Sequence, residues 1–244
     1  MASPELPRRG LLAGGAGLLA ALAGCRSVSR YEFRADPVAW PAADRAGTGY
    51  RRRLRTTVAT THDATVGGVD ARVTLRSRLA VYAAGDPSTP RPAVGVLSTP
   101  AASVDGRRYN PLARLSLAAL LDSERGRGFL ERVGLADVGH RRAALAWARP
   151  PRPVATREAT CLGRPARLRS YAGVLAGEPR SVAYWHLLRV EAASVVLAAA
   201  VHGRDVARPA PLVGPEGYLE HAAVDAAAGL LAGVCGALRY GQAP

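Results

Sequence analysis

The sequence predicts an α+β fold, in which a mainly antiparallel β-sheet of about six to eight strands is packed by a middle helical region and a C-terminal helix. Three observations support this prediction. Residues 52–82 alternate between apolar and polar side chains on both sides of a Gly-Gly pair, which is typical of a hairpin. Residues 181–190 and 194–202 are further strand-like runs rich in Val and Leu. Apolar residues recur every three or four positions over 216–239, as in an amphipathic helix.

The first residues of the predicted domain show little hydrophobic periodicity, whereas the sequence of the first hairpin predicts both its turn and its register. Residues 31–49 are expected to form ordered loop or edge structure. The Gly67-Gly68 pair suits a two-residue turn, because both positions of such a turn need positive φ. This turn sets a register in which Asp63 lies opposite Arg72 and Val58 lies opposite Ser77.

One side of this hairpin is strongly basic. The chain has a formal net charge of +14, and its 33 basic residues are all arginine. One interpretation is a solvated outer face, and the other is a face that contacts anionic lipid headgroups. The side chains on this side are Arg53, Arg55, Arg72, Arg76 and Arg78, with Asp63 as the only acid.

A buried strand and then a helical region are predicted next. The strand covers 93–98 and is stopped by Pro100. The Asn110-Pro111 pair indicates a helix start, with Asn as the N-cap and Pro in the first turn. The helical region is expected to break around Gly126 and Gly128 and to resume at Phe129.

A second hairpin is predicted from strands over 154–161 and 166–175, with Glu158 opposite Arg169. Cys161 then lies on the inward side of this hairpin, and Cys235 flanks the apolar stripe of the last helix. Two interpretations of the two cysteines remain, a disulfide bond or two separate buried thiols.

The first residues indicate export. Arg8-Arg9 is followed by a stretch rich in Gly, Ala and Leu that is too short to span a bilayer, which needs about 20 residues. The stretch ends in Leu22-Ala23-Gly24-Cys25, which resembles a lipobox, and the arginine pair resembles a twin-arginine signal. We therefore expect a signal peptide over 1–24, a lipid on Cys25, a tether over 25–30 and a single α+β domain over 31–244. This arrangement places the domain on the outer face of a cell membrane.

Catalytic motifs are absent. The sequence contains no nucleophile elbow, no phosphate-binding or dinucleotide-binding glycine loop and no His-Glu-x-x-His. His221 and Asp225 lie four residues apart, but two ligands are too few for a metal site, and His186 is expected to be a core histidine. No cofactor and no nucleic-acid partner is expected, because the RNA-binding sheet motif is also missing.

These observations favour a non-enzymatic envelope lipoprotein that binds a small ligand, a lipid or another envelope protein. The alternative is an exported hydrolase whose site is not visible as a sequence motif. A deep pocket with convergent polar side chains favours the hydrolase, and an apolar groove favours the binding protein.

Several short motifs together resemble a known family. They are Tyr31-Glu32-Phe33, Thr48-Gly49-Tyr50, Leu97-Ser98-Thr99-Pro100 and Tyr109-Asn110-Pro111-Leu112. With the leader, they resemble a family of haloarchaeal lipoproteins catalogued only as a domain of unknown function. The resemblance implies a membrane-tethered extracellular domain, and it supplies no catalytic residues.

Overall fold

The computed structural model describes residues 28–84, 92–133, 148, 151–175, 178–191, 194–205 and 221–240. The predicted signal peptide and Cys25 lie outside these residues. Within them, no helix is long and apolar enough to cross a membrane. The strands are β1 (Ser29–Arg34), β2 (Val38–Ala39), β3 (Tyr50–Val66), β4 (Val69–Ala84), β5 (Ala93–Pro100), β6 (Ser103–Val104), β7 (Arg107–Arg108), β8 (Arg152–Cys161), β9 (Arg164–Leu175), β10 (Glu178–Glu191), β11 (Ser194–Asp205) and β12 (Arg239–Tyr240). The helices are α1 (Ala42–Arg45), α2 (Pro111–Arg114), α3 (Leu117–Asp122), α4 (Glu124–Arg132) and α5 (His221–Ala237).

Eight of these strands form one sheet in the order β1-β4-β5-β11-β10-β9-β8, with β3 paired to β4 as well. β3 pairs along the whole of β4, so β1 and β5 lie end to end along the other edge of β4. The β1–β4 pair is parallel and the other pairs of this sheet are antiparallel. The sheet is therefore mixed, and the predicted α+β class is broadly consistent with it.

Helices cover both sides of the sheet. The helices α2, α3 and α4 pack on one side, where they bury Leu120, Leu130 and Trp185. The helix α5 packs on the other side, which we call the α5 side, over Val196, Ala198 and their neighbours. Because the central strands are covered twice, they are nearly continuous apolar runs, and all eight residues of β5 are buried.

The first hairpin confirms its predicted register. Gly67 and Gly68 have φ of 57° and 81°, so a two-residue turn joins β3 and β4 as predicted. Asp63 lies opposite Arg72, and Val58 lies opposite Ser77.

The predicted pairing in the second hairpin is wrong by two residues. Its turn is formed by Leu162 and Gly163, both with positive φ. Glu158 consequently lies opposite Arg167 instead of Arg169, and the Arg167 Nε donates to the Glu158 carboxylate over 3.1 Å. A shift of two residues keeps every side chain on its predicted side.

The middle helical region begins as predicted but breaks elsewhere. Asn110 is the N-cap of α2, and its Oδ1 accepts a hydrogen bond from the Leu112 N–H over 2.9 Å. The predicted break at Gly126 and Gly128 is wrong, because both glycines lie inside α4. The breaks fall before two serine N-caps, which the prediction overlooked: Ser116 for α3 and Ser123 for α4.

Candidate functional site

Six arginines, exposed or half-buried, form one surface on the α5 side of β1, β3 and β4. The helix α5 packs against β8, β9, β10 and β11, so it does not cover this part of the sheet. We call the part of this surface between the bulge in β3 and the Gly67-Gly68 turn the arginine face; Arg52, opposite Tyr82, lies beyond the bulge. Its basic residues are Arg30, Arg34, Arg55, Arg72, Arg76 and Arg78.

The strand β1 contributes a part of this face that sequence reasoning missed. Parallel pairing places Arg30 beside Arg72, Glu32 beside Thr74 and Arg34 beside Arg76. The polar-apolar alternation over residues 30–34 was the available signal, but it is only five residues long. β1 begins at Ser29, inside the segment predicted as the tether.

The structure brings together four of the five predicted arginines. Arg55, Arg72, Arg76 and Arg78 share one side of the hairpin. Arg53 is separated from them by a β-bulge between Arg52 and Leu54. The Arg53 Nη2 instead donates to the Ala84 carbonyl over 3.3 Å.

Three carboxylates lie among the six arginines, so the prediction of Asp63 as the only acid is wrong. Asp70 shares this side near the turn, and Glu32 reaches it from β1. Glu32 Oε1 lies 2.8 Å from both the Arg76 Nε and the Arg34 Nη2, and Asp63 pairs with Arg72 at 3.3 Å. Hydrogen bonds from Arg76 and Arg34 lower the pKa of Glu32. Six guanidinium groups less three carboxylates leave this face a net charge of +3.

A groove of about 390 Å³ lies in the arginine face, lined by Arg34, Thr57, Arg76 and Arg78. Arg78 lies directly opposite Thr57 on β3 and opposite Ser98 on β5. Arg78 makes no hydrogen bond or ion pair with any residue that the structure describes. Ser98 is 1% exposed, and its Oγ also lacks a hydrogen-bond partner in that part of the chain. Guanidinium groups and the Thr57 hydroxyl, which line the groove, are donors of the kind that bind oxyanions.

Neither of the two histidines whose side chains the structure describes, His62 and His186, forms a catalytic group with this groove. The His186 Nδ1 lies 2.8 Å from the Ser170 Oγ, and His186 is fully buried in the core as predicted. His62 lies on the other side of the hairpin against the Tyr109 ring. Burial, with a smaller contribution from Arg132, lowers the pKa of His62.

The region around the sequence pair His221 and Asp225 is partly described. The side chain of His221 lies outside the described residues, whereas Asp225 forms an ion pair with Arg157. Among the described residues, no group of three or more His, Cys, Asp or Glu side chains could hold a metal ion.

The two cysteines meet in the core on the α5 side. Cys161 ends β8, Cys235 lies in the last turn of α5, and both are fully buried free thiols. The inward placement of Cys161 is therefore confirmed, and the bridge stays a prediction. The hydrogen bond with Cys161, together with burial, raises the pKa of Cys235, so that this thiol is protonated at neutral pH.

The comparisons with known proteins point to one family. No curated protein and no solved structure matches the chain. A family described as Domain of unknown function (DUF6517) matches residues 37–234. This match covers β3 to β11 and most of α5, and therefore almost the whole folded core. The chain belongs to the Domain of unknown function (DUF6517) family.

Proposed function

We propose that this protein is an exported lipoprotein, anchored through a lipid on Cys25 to the outer face of a cell membrane, whose arginine face binds the anionic headgroups of that membrane. Its binding role is non-enzymatic. The leader that resembles a twin-arginine lipobox signal, as in haloarchaeal lipoproteins, supports the export and the anchor.

The observation that carries the proposal is the position of β1. This strand supplies Arg30 and Arg34 to the arginine face, and it begins four residues after Cys25. Four extended residues span at most about 14 Å. The arginine face is therefore held close to the lipid attachment point, whatever path the tether takes.

A tether this short lets the arginine face reach the membrane surface itself, where electrostatics favours contact. Charges on a membrane surface act within a Debye length of about 8 Å at physiological salt, and each basic residue near an anionic surface contributes about 1 kcal/mol. The net charge of +3 would then contribute about 3 kcal/mol. The face offers arginine and threonine donors but no acid–base pair, which favours binding over hydrolysis.

The anchor is tested by Cys25→Ser. Because processing of a lipobox depends on the modified thiol, this variant is expected to accumulate as the uncleaved precursor. The readout is the mass of the membrane-extracted protein. A variant that is still cleaved and still requires detergent for extraction would contradict lipidation of Cys25.

The face is tested with a soluble fragment of residues 26–244 and vesicles of phosphatidylcholine with or without phosphatidylglycerol. We expect binding only to the anionic vesicles, with weaker binding at high salt. Arg72→Ala combined with Arg76→Ala should reduce this binding. The matched control is Arg107→Ala combined with Arg114→Ala.

This control removes the same charge from the opposite side of the sheet, because the control arginines lie on β7 and α2. Equal losses in the two double variants would show that net charge alone drives binding. Equal affinity for neutral and anionic vesicles would refute the proposed contact. Binding to neither type of vesicle would also refute it, and would leave an acidic envelope protein as the candidate partner.

A further inference from the structure

We propose that the groove lined by Arg34, Thr57, Arg76 and Arg78 binds a phosphate monoester dianion, and that Glu32 competes internally for two of its arginines. The inference deepens the proposed function, on which it rests for the location of the ligand. It goes further by naming one chemical group and one place on the arginine face.

The arrangement of donors fits one tetrahedral oxyanion. Arg78 lies opposite Thr57, and Arg34 lies beside Arg76, so the four side chains come from adjacent positions on three neighbouring strands. Side chains at such positions have Cβ atoms about 5 Å apart, which long side chains easily bridge. Each guanidinium presents a planar fork of N–H groups that pairs with two oxygens of a phosphate.

The charge of the groove fits a dianion. Three guanidinium groups and the Glu32 carboxylate give a net charge of +2. A phosphate monoester carries about −1.5 to −2 at neutral pH, whereas a phosphodiester carries a single negative charge. A monoester therefore neutralises the groove, and a diester leaves it positive.

The arginines of the groove differ in whether they already have a partner, and this difference indicates where the ligand would bind first. Glu32 occupies Arg34 and Arg76 at 2.8 Å each, whereas Arg78 pairs with no described residue. The buried Ser98 hydroxyl lies opposite Arg78 on the same side of the sheet and has no described partner either. Ser98 is nevertheless buried and does not line the groove, so Arg78 is the lining arginine that a ligand would meet first.

Glu32 acts as an internal competitor in this arrangement. An incoming phosphate must share or displace the carboxylate to reach Arg34 and Arg76. The ion pairs of Glu32 are exposed, and exposed pairs are weak because water screens them. A phosphate dianion with three arginine partners can therefore displace the carboxylate from both of them.

The test uses the full-length lipidated protein in a nonionic detergent at constant ionic strength and neutral pH, with calorimetric titration. The ligands are glycerol 3-phosphate as a free monoester, short-chain phosphatidic acid in the micelles as a monoester headgroup, and dimethyl phosphate as a diester. We expect both monoesters to bind at least about tenfold more tightly than the diester, as one lost charge-assisted hydrogen bond implies. Tighter binding of phosphatidic acid than of glycerol 3-phosphate would identify a lipid as the source, and the reverse order a soluble ligand.

Three substitutions locate the site. Arg78→Gln should weaken monoester binding by about tenfold or more, because it removes a charged donor. Arg55→Gln removes the same charge from the arginine face outside the groove, and we expect a clearly smaller loss. Glu32→Gln should strengthen monoester binding several-fold, because the ligand no longer has to displace a weak ion pair from Arg34 and another from Arg76.

Equal losses in Arg78→Gln and Arg55→Gln, or equal affinity for the monoesters and the diester, would overturn the groove as a specific site. Weaker binding in Glu32→Gln would overturn its role as a competitor. Binding to phosphatidylglycerol vesicles with no monoester binding would refute the groove and leave the membrane contact intact. Monoester binding without vesicle binding would refute the membrane contact alone.

Discussion

Gly126 is the point at which α4 crosses α3. A Cβ added there would lie 2.3 Å from the Ala119 carbonyl oxygen and 2.5 Å from the Leu120 Cα. Both are backbone atoms, so no side-chain rotation relieves the overlap. Gly126→Ala must instead push the two helices apart over the buried Leu120 and Phe129.

Gly128 provides a matched control in the same helix, because a Cβ there meets nothing within 4 Å. Replacing glycine by alanine inside a helix stabilises by about 1 kcal/mol when nothing obstructs the new methyl group. Overpacking against fixed atoms costs about 3 kcal/mol at the upper end of its usual range. Gly126→Ala should therefore destabilise the fold by about 2 kcal/mol, while Gly128→Ala stabilises it by about 1 kcal/mol.

The two variants should differ by about 3 kcal/mol, which corresponds to about 6 to 12 °C in Tm for a chain of this size. Thermal melts followed by circular dichroism, supported by urea titrations, measure this difference. If Gly126→Ala is as stable as Gly128→Ala, the two helices do not approach as closely as the structure shows. A loss of stability in Gly128→Ala would show that glycine is needed in α4 for another reason.

Three other predictions concern side chains that are buried or half-buried. Asn110→Ala removes a fully buried N-cap and leaves two buried backbone groups without partners, so unfolding should become easier by about 2 to 4 kcal/mol in urea titrations; a loss below 1 kcal/mol would contradict it. If Cys161 and Cys235 are bridged in the exported protein, denatured and unreduced chains should show neither thiol to a labelling reagent, and reduction should cost about 4 kcal/mol. Burial lowers the pKa of His62 below its usual value, so the unfolded chain takes up this proton first, and stability should fall as pH drops through about 6.5. His62→Gln should flatten that part of the stability curve, and an unchanged slope would exclude His62 as its cause.

Local sequence determined the parts of the fold in which neighbouring residues constrain each other. The two glycines at 67 and 68 accept the positive φ of a two-residue turn, and this turn sets the register of the whole first hairpin. Asn110 caps α2 for a similarly local reason, because its side chain reaches the N–H two residues later. Alternation alone predicted that Cys161 faces inward. This prediction is correct although the predicted register was wrong by two residues, because a shift of two residues keeps each side chain on the same side.

Tertiary packing decided the rest of the candidate site. Alternation showed which side of β4 carries arginines, but a free strand edge does not specify its partner. The parallel pairing of β1 with β4 places Arg34 and Glu32 in the arginine face, and the sequence did not predict this pairing. Gly126 shows the same limit, since a glycine that breaks a helix and one that admits a second helix look identical in sequence. The sequence thus determined turns, caps and the side that each residue faces, whereas strand partners and helix crossings depended on contacts between residues far apart in the chain.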